Sequence, residues 1–338
     1  MLKKIFLFFF ILGCSGSQDQ ASLSNTISVI VDGTFDDRGF NESSSNAMTQ
    51  IKEEFKKVNI IRKESKISDY LADIGGLEEG GSSLIWGVSF KFTDTFLQKA
   101  LENTNVNYGI IEGAYAEGVE LPKNLVNVKF RSEEGAFLVG YLAAKASKTG
   151  KIGFIGGIEG VVINAFRYGY EAGAKYANKN IEINSQYVGT FTDISLGHLM
   201  ASKMYASGVD IIFTAAGLSG LGAIEVAKEL GSGHYIIGVD QDQSYLAPNN
   251  ILFSYVKRVD VVMLDLMRSY LEFGKWNGGN SLEFGVKDGA LDLVFNKSIN
   301  SDLIKDYDLI SKIKDKIVGN EIKVPKDEKS YGDFVVNL

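Results

Sequence analysis

An α/β fold of two lobes, each a parallel sheet covered by helices, is what three observations in this sequence predict. Apolar runs of strand length recur at residues 27–31, 58–62, 84–88, 106–111, 151–155, 209–214, 235–239 and 251–256. The stretches between them carry helical spacing, and such alternation marks buried parallel strands with helices on both faces. The third observation is length, since 338 residues with eight or more strands exceed one ordinary sheet and core. Hydrophobic residues at 45% and charged residues at 23% exclude a disordered chain.

The chain begins with a segment unlike the rest. Met1-Leu2-Lys3-Lys4 precedes an apolar run over 5–12 that is too short to span a membrane, the pattern of a secretory signal. It ends Leu12-Gly13-Cys14, which resembles the bacterial lipobox, where the cysteine is acylated and becomes the first residue of the mature protein. The competing reading is a buried amino-terminal strand with a free thiol. Residues 1–13 are therefore read as signal peptide and 14–26 as lipidated cysteine and tether, the latter rich in Ser and Gln and without periodicity. Removing 1–13 takes Lys3 and Lys4 from the 35 basic residues, leaving 33 against 42 acidic, net −9. An acidic body of this kind has no electrostatic reason to bind nucleic acid. Two histidines and one cysteine exclude an ordinary zinc site, a disulfide framework and an iron–sulfur cluster. No cofactor is expected.

In the body, Phe166, Tyr170, Gly173 and Ala177 fall on one helical face, as do Ala223, Val226, Ala227 and Leu230. A long helix is predicted over 133–147, with a lobe change just before it, near 129–132. The three prolines, at 122, 248 and 325, mark no linker, so strand-like crossings between lobes are expected. The lobes are read as 27–130 with 256–282 and 131–255 with 283–338. Bilobed α/β proteins bind ligands at the carboxyl ends of their strands, in the crevice between sheets.

Those strand ends carry a consistent chemistry. The first delivers Asp32-Gly33-Thr34-Phe35-Asp36-Asp37-Arg38-Gly39-Phe40-Asn41, read either as a turn with a capped helix or as a ligand site. The fourth ends in Glu112-Gly113. The sixth runs into Ala215-Ala216-Gly217-Leu218-Ser219-Gly220-Leu221-Gly222, whose glycine spacing fits neither a dinucleotide fingerprint nor a P-loop. An anion cradle and a close backbone approach to an uncharged ligand both remain open there. The seventh ends Asp240-Gln241-Asp242-Gln243, and the eighth runs into Lys257-Arg258, where Asp240 and Lys257 are either a structural ion pair or ligand contacts. Six acids against two bases disfavour a phosphate or free carboxylate. They suit a neutral ligand with hydroxyls and a flat ring, or a plain sugar.

The run 32–42, the stretch 153–173 (GFIGG…FRYGYEAG), and segments 215–222 and 236–243 together resemble the basic membrane protein (Bmp) family, purine-nucleoside-binding lipoproteins of bacterial ABC importers. The resemblance covers nearly the whole mature chain. It implies a type I periplasmic-binding-protein fold with three crossings, and a lipid-anchored protein of the cell envelope that passes nucleosides to a permease and its ATPase subunits. By the same resemblance, Phe40 stacks on the purine beside the Asn41 amide, Asp32 is the first-strand acid, Asp240 holds ribose, and Lys257 is the later lysine. The second stacking ring falls on Phe213, with Phe166 and Phe191 as alternatives, and Gly217 is a backbone contact near the base. Glu112 stands where the family commonly has aspartate.

Two other functions compete. A nucleoside hydrolase or glycosidase would use paired carboxylates, Asp36-Asp37 or Asp240 with Asp242. However, His198 and His234 read as surface residues with no nucleophile motif nearby. A surface adhesin for host matrix would use the lysine-containing tail, 323–338.

Overall fold

The computed structural model describes residues 26–299 and 307–338; Cys14 and the leader lie outside these. The first half alternates β1 (Thr26–Asp32), α1 (Phe40–Glu54), β2 (Asn59–Ser65), α2 (Tyr70–Glu79), β3 (Leu84–Val88), α3 (Thr93–Glu102), β4 (Asn107–Ile111) and β5 (Leu125–Phe130). The second runs α4 (Ser132–Ala146), β6 (Lys151–Gly156), α5 (Val161–Ala177), β7 (Glu182–Tyr187), α6 (Ile194–Ala206), β8 (Ile211–Ala215), α7 (Leu218–Leu230), β9 (Tyr235–Asp240) and β10 (Ile251–Lys257). Then follow α8 (Val259–Phe273), β11 (Ser281–Phe284), β12 (Leu291–Phe295), α9 (Tyr307–Val318) and α10 (Glu328–Val336).

Two six-stranded sheets form, in the orders β11-β5-β4-β3-β1-β2 and β12-β10-β9-β8-β6-β7. The two orders are equivalent, and each reverses direction about its first strand, between β1 and β3 and between β6 and β8. Such reversal points open a crevice at the carboxyl ends of the strands. The chain passes between sheets three times: after β5, between β10 and β11, and between β11 and β12. The bilobed fold with three crossings is thus observed.

All eight predicted strands are present, and four more were not predicted. β7 and β11 are short edge strands with half-exposed, polar-interrupted sequences, so they lack an apolar run. β12 pairs antiparallel with β10 and departs from the all-parallel expectation. β5 is buried, but Asn127 and Lys129 break its pattern; the Asn127 amide is used inside, donating to the Gly113 carbonyl at 3.0 Å. β2 runs to Ser65, three residues past its predicted end, as the exposed edge of its sheet.

Helix α4 is nearly all buried and packs along α5. The close approach needs glycine. A Cβ at Gly140 would overlap the Tyr170 carbonyl, and one at Gly173 the Phe137 carbonyl. The predicted face of α7 is buried at Ala223, Val226 and Ala227, whereas Leu230, in its last turn, is exposed. His198 lies on α6 beside Glu229, and His234 packs edge-on against Tyr205 instead of standing free on the surface.

Candidate ligand-binding cleft

At the carboxyl ends of both sheets lies a cleft of about 670 Å³, its open mouth included. Asp32, Phe40, Asn41, Glu112, Gly217, Asp240 and Lys257 all line it. Phe213 does not. It is fully buried, packed behind Phe166 at 6.3 Å and against Tyr170 and Tyr255. Phe213 stands two residues before the end of β8, one side-chain layer deeper than Ala215, which reaches the cleft. The second-lobe rings that face the cavity are the two alternatives, Phe166 and Phe191.

The turn after β1 is built by its own acids. Asp37 is buried, and its carboxylate accepts from the backbone N–H groups of Gly39, Asn41 and Glu42 at 2.9–3.1 Å. It anchors the start of α1 much as a capping residue does, and the positive helix end favours its charge. Burial nevertheless pushes its pKa above the ordinary value. Asn41 donates its amide to the carbonyls of Asp32 (3.1 Å) and Thr34 (2.9 Å), which ties the turn to β1. The Asp32 carboxylate accepts from the Tyr70 hydroxyl at 2.5 Å and pairs with Lys91 at 2.6 Å. The turn-and-cap reading holds, and Asp32, Asp37, Phe40 and Asn41 of the same segment line the cleft.

At the cleft floor, Lys257 Nζ lies 2.5 Å from Glu112 Oε1, both nearly inaccessible to solvent. The ammonium also sits over three rings, Phe166 at 4.7 Å, Phe130 at 5.3 Å and Phe40 at 5.4 Å, an arrangement worth more when desolvated. The lysine is therefore paired with Glu112, not with Asp240 as the strand ends had suggested. Asp240 is 9% exposed and takes a left-handed φ of +66°, and its carboxylate receives no hydrogen bond from the described residues. Burial raises its pKa to about 7; Asp37 and Glu112 add to the rise and Lys257 opposes it. Its carboxylate is free to accept from hydroxyls.

Two candidate acids turn away. Asp36 is exposed and paired with Arg38, while Asp242 caps the Ser244 N–H. Arg258 does not line the cleft either. Gly217 takes φ +55°, and a Cβ there would press on the Phe191 carbonyl at 3.1 Å. Gly222, inside α7, serves the packing of that helix on α6.

Sequence reasoning missed Ser89, Phe90, Val162 and Ile163 at the cleft, and Lys91 beside it. Ser89-Phe90-Lys91 follows the strand at 84–88, and applying the strand-end rule to that strand would have found them. Phe90 meets Phe191 edge-on at 6.1 Å, and Lys91 Nζ lies 5.6 Å from the same ring. Aromatic rings, carboxylates and a lysine paired with Glu112 thus meet in one cleft. Among the described residues no His/Cys/Asp/Glu cluster suits a metal, and no helix is long and apolar enough to cross a membrane.

Two sheets joined by three crossings over a cleft are a fold that solute-binding proteins share with LacI-type regulators. Among solved structures, an ABC transporter solute-binding protein from Aeropyrum pernix K1 superposes with a TM-score of 0.81 at 25% identity, covering 91% of this chain and 95% of that one. A LacI-family repressor from Corynebacterium glutamicum shares the fold alone, with a TM-score of 0.59 and 14% identity over 81% of this chain and 99% of that one. Residues 24–328 match the family described as Bmp, ABC transporter substrate-binding protein PnrA-like, and the chain belongs to it. It is 56% identical to basic membrane protein D of Borreliella burgdorferi strain JD1 over 100% of this chain and 99% of that protein. It is also 50% identical to basic membrane protein A of Borreliella afzelii, over 96% and 98% respectively. The protein is thus an ABC transporter substrate-binding protein and not an enzyme, which removes the hydrolase reading.

Proposed function

We propose that the protein captures purine nucleosides of the adenosine, guanosine and inosine class and delivers them to its permease for purine salvage. The observation that carries this reading is the meeting, in one cleft, of Phe40 with a second-lobe ring (Phe191 or Phe166) and the unpartnered Asp240 carboxylate. The rings sandwich a base, and Asp240 accepts from the ribose diol. Glu112 neutralises Lys257, so the cleft presents no free cation to a phosphate. Each lobe supplies part of this set, so ligand stabilises the closed state through contacts that only closure makes. The moving bodies are 27–130 with 256–282, and 131–255 with 283–338, except that 256–257 move with β10 in the second sheet and 283–284 with β11 in the first. Cys14 carries the lipid that holds the protein at the envelope.

Heat-denaturing protein purified from cells and identifying the small molecules released tests the ligand class. A purine nucleoside in near-stoichiometric amount is expected, whereas a sugar or amino acid in its place overturns the proposal. Incorporation of labelled palmitate, lost on Cys14→Ser, tests the anchor.

A further inference from the structure

Gln241 and Gln243 follow Asp240 but do not line the cleft. Gln243 is buried and pinned to the second sheet: its Oε1 accepts from Val239 N at 3.0 Å, and its own N–H donates to Ser254 Oγ at 3.0 Å. Its Nε2 then reaches the turn after β1 and donates to the Arg38 carbonyl at 2.9 Å. Gln241 Nε2 donates to the next carbonyl, that of Gly39, at 2.8 Å, and its Oε1 accepts from Asn46 on α1 at 3.4 Å. Two consecutive carbonyls of the turn leading into Phe40 are therefore each held by an amide from the opposite sheet. Both ends are set by backbone in the left-handed region, with φ +58° at Arg38 and +66° at Asp240.

We propose that Gln241 and Gln243 form an interlobe latch, positioning residues that hold the Phe40 turn against the second lobe and so set how long the closed state lasts. This rests on the ligand-binding reading above for what Phe40 does. The latch bonds exist only when the lobes meet. On opening, the Arg38 carbonyl and the Gln241 amide return to water while the Gly39 carbonyl keeps its bond from Ser43 N, so loss of the latch acts on closure and not on the fold of either lobe. A carbonyl needs a donor opposite it, which makes glutamate the informative replacement. Gln243→Glu keeps the acceptor for Val239 N and the backbone bond to Ser254, but sets a carboxylate oxygen against the Arg38 carbonyl.

The test compares the parent, Gln243→Glu and Gln241→Glu for adenosine dissociation by stopped-flow and for ligand-free thermal unfolding. The latch predicts dissociation faster by roughly tenfold in Gln243→Glu, the scale of one lost hydrogen bond, with an unchanged association rate and an unchanged melting temperature. Gln241→Glu shows a smaller effect in the same direction, its amide being more exposed to water. Unchanged dissociation in both variants overturns the proposal. A rise matched by a fall in ligand-free melting temperature overturns it too, because Gln243 would then serve only its own lobe. If the parent binds no nucleoside, the nucleoside reading fails separately. The latch is then judged by ligand-free X-ray scattering: a larger radius of gyration in Gln243→Glu supports it, and equal radii sink it.

Discussion

Phe40 is half-buried on the first residue of α1, with one edge of its environment already held by Lys257. Base stacking on such a ring contributes about 1–3 kcal/mol, so Phe40→Ala should weaken nucleoside binding by roughly ten- to a hundredfold with little change in melting temperature. Phe213→Ala should do the reverse. It empties a fully buried site and should cost about 3–5 kcal/mol of stability in urea unfolding, with a smaller effect on affinity. Asp240 makes a pH prediction. Its carboxyl titrates near 7 in the fold, above its ordinary value of 3.8, because burial disfavours the charge. The fold therefore binds the proton more tightly than the unfolded chain does, so Asp240's contribution to stability is present below about pH 4 and is lost as pH rises through 7. Ligand-free Asp240→Asn should melt higher than the parent at pH 8 and bind nucleoside more weakly. Parental affinity should fall as pH drops below 7, where protonation removes the two-hydroxyl acceptor; calorimetry from pH 5.5 to 8.5 reads both trends. Glu112→Ala leaves Lys257 buried without its counter-charge and should cost about 3–5 kcal/mol of stability, seen as a lower urea midpoint. These roles were partly legible in the sequence. Residue type and strand-end position pointed to Asp32, Phe40, Asn41, Glu112, Asp240 and Lys257. The partner each side chain takes was not legible, because Lys257 pairs with Glu112 at the end of the other sheet and not with Asp240 on the neighbouring strand β9.

At the scale of elements, apolar runs located every strand in the interior of either sheet except β5. What stayed hidden was mostly at the edges. β7, β11 and β12 face solvent on one side, so their sequences carry too little apolar pattern to stand out from loops. The Gly-rich α5 sequence was recognisable, but its spacing was read for periodicity and not for the backbone-to-backbone packing with α4 that it permits. That packing yields a prediction: Gly140→Ala places a methyl into the Tyr170 carbonyl and should destabilise by about 1–3 kcal/mol, lowering the melting temperature while leaving the cleft residues in place.

Over the whole molecule, the sequence indicated two lobes through the number of strands and the absence of a linker. The equivalence of the two sheets emerges only from strand pairing. So do the contacts that close the cleft, since Gln241 and Gln243 look like surface amides until β9 is set opposite the β1 turn. Closure over a neutral, flat, hydroxyl-bearing ligand is the central claim. It is tested most directly by calorimetric titration of the chain from Ser15 onward, which retains every described residue, with adenosine, guanosine, inosine, uridine, ribose and AMP. The account predicts micromolar or tighter binding of the purine nucleosides, with ribose and AMP far weaker. Folded, ligand-free protein that binds no nucleoside, or that prefers AMP, would contradict it.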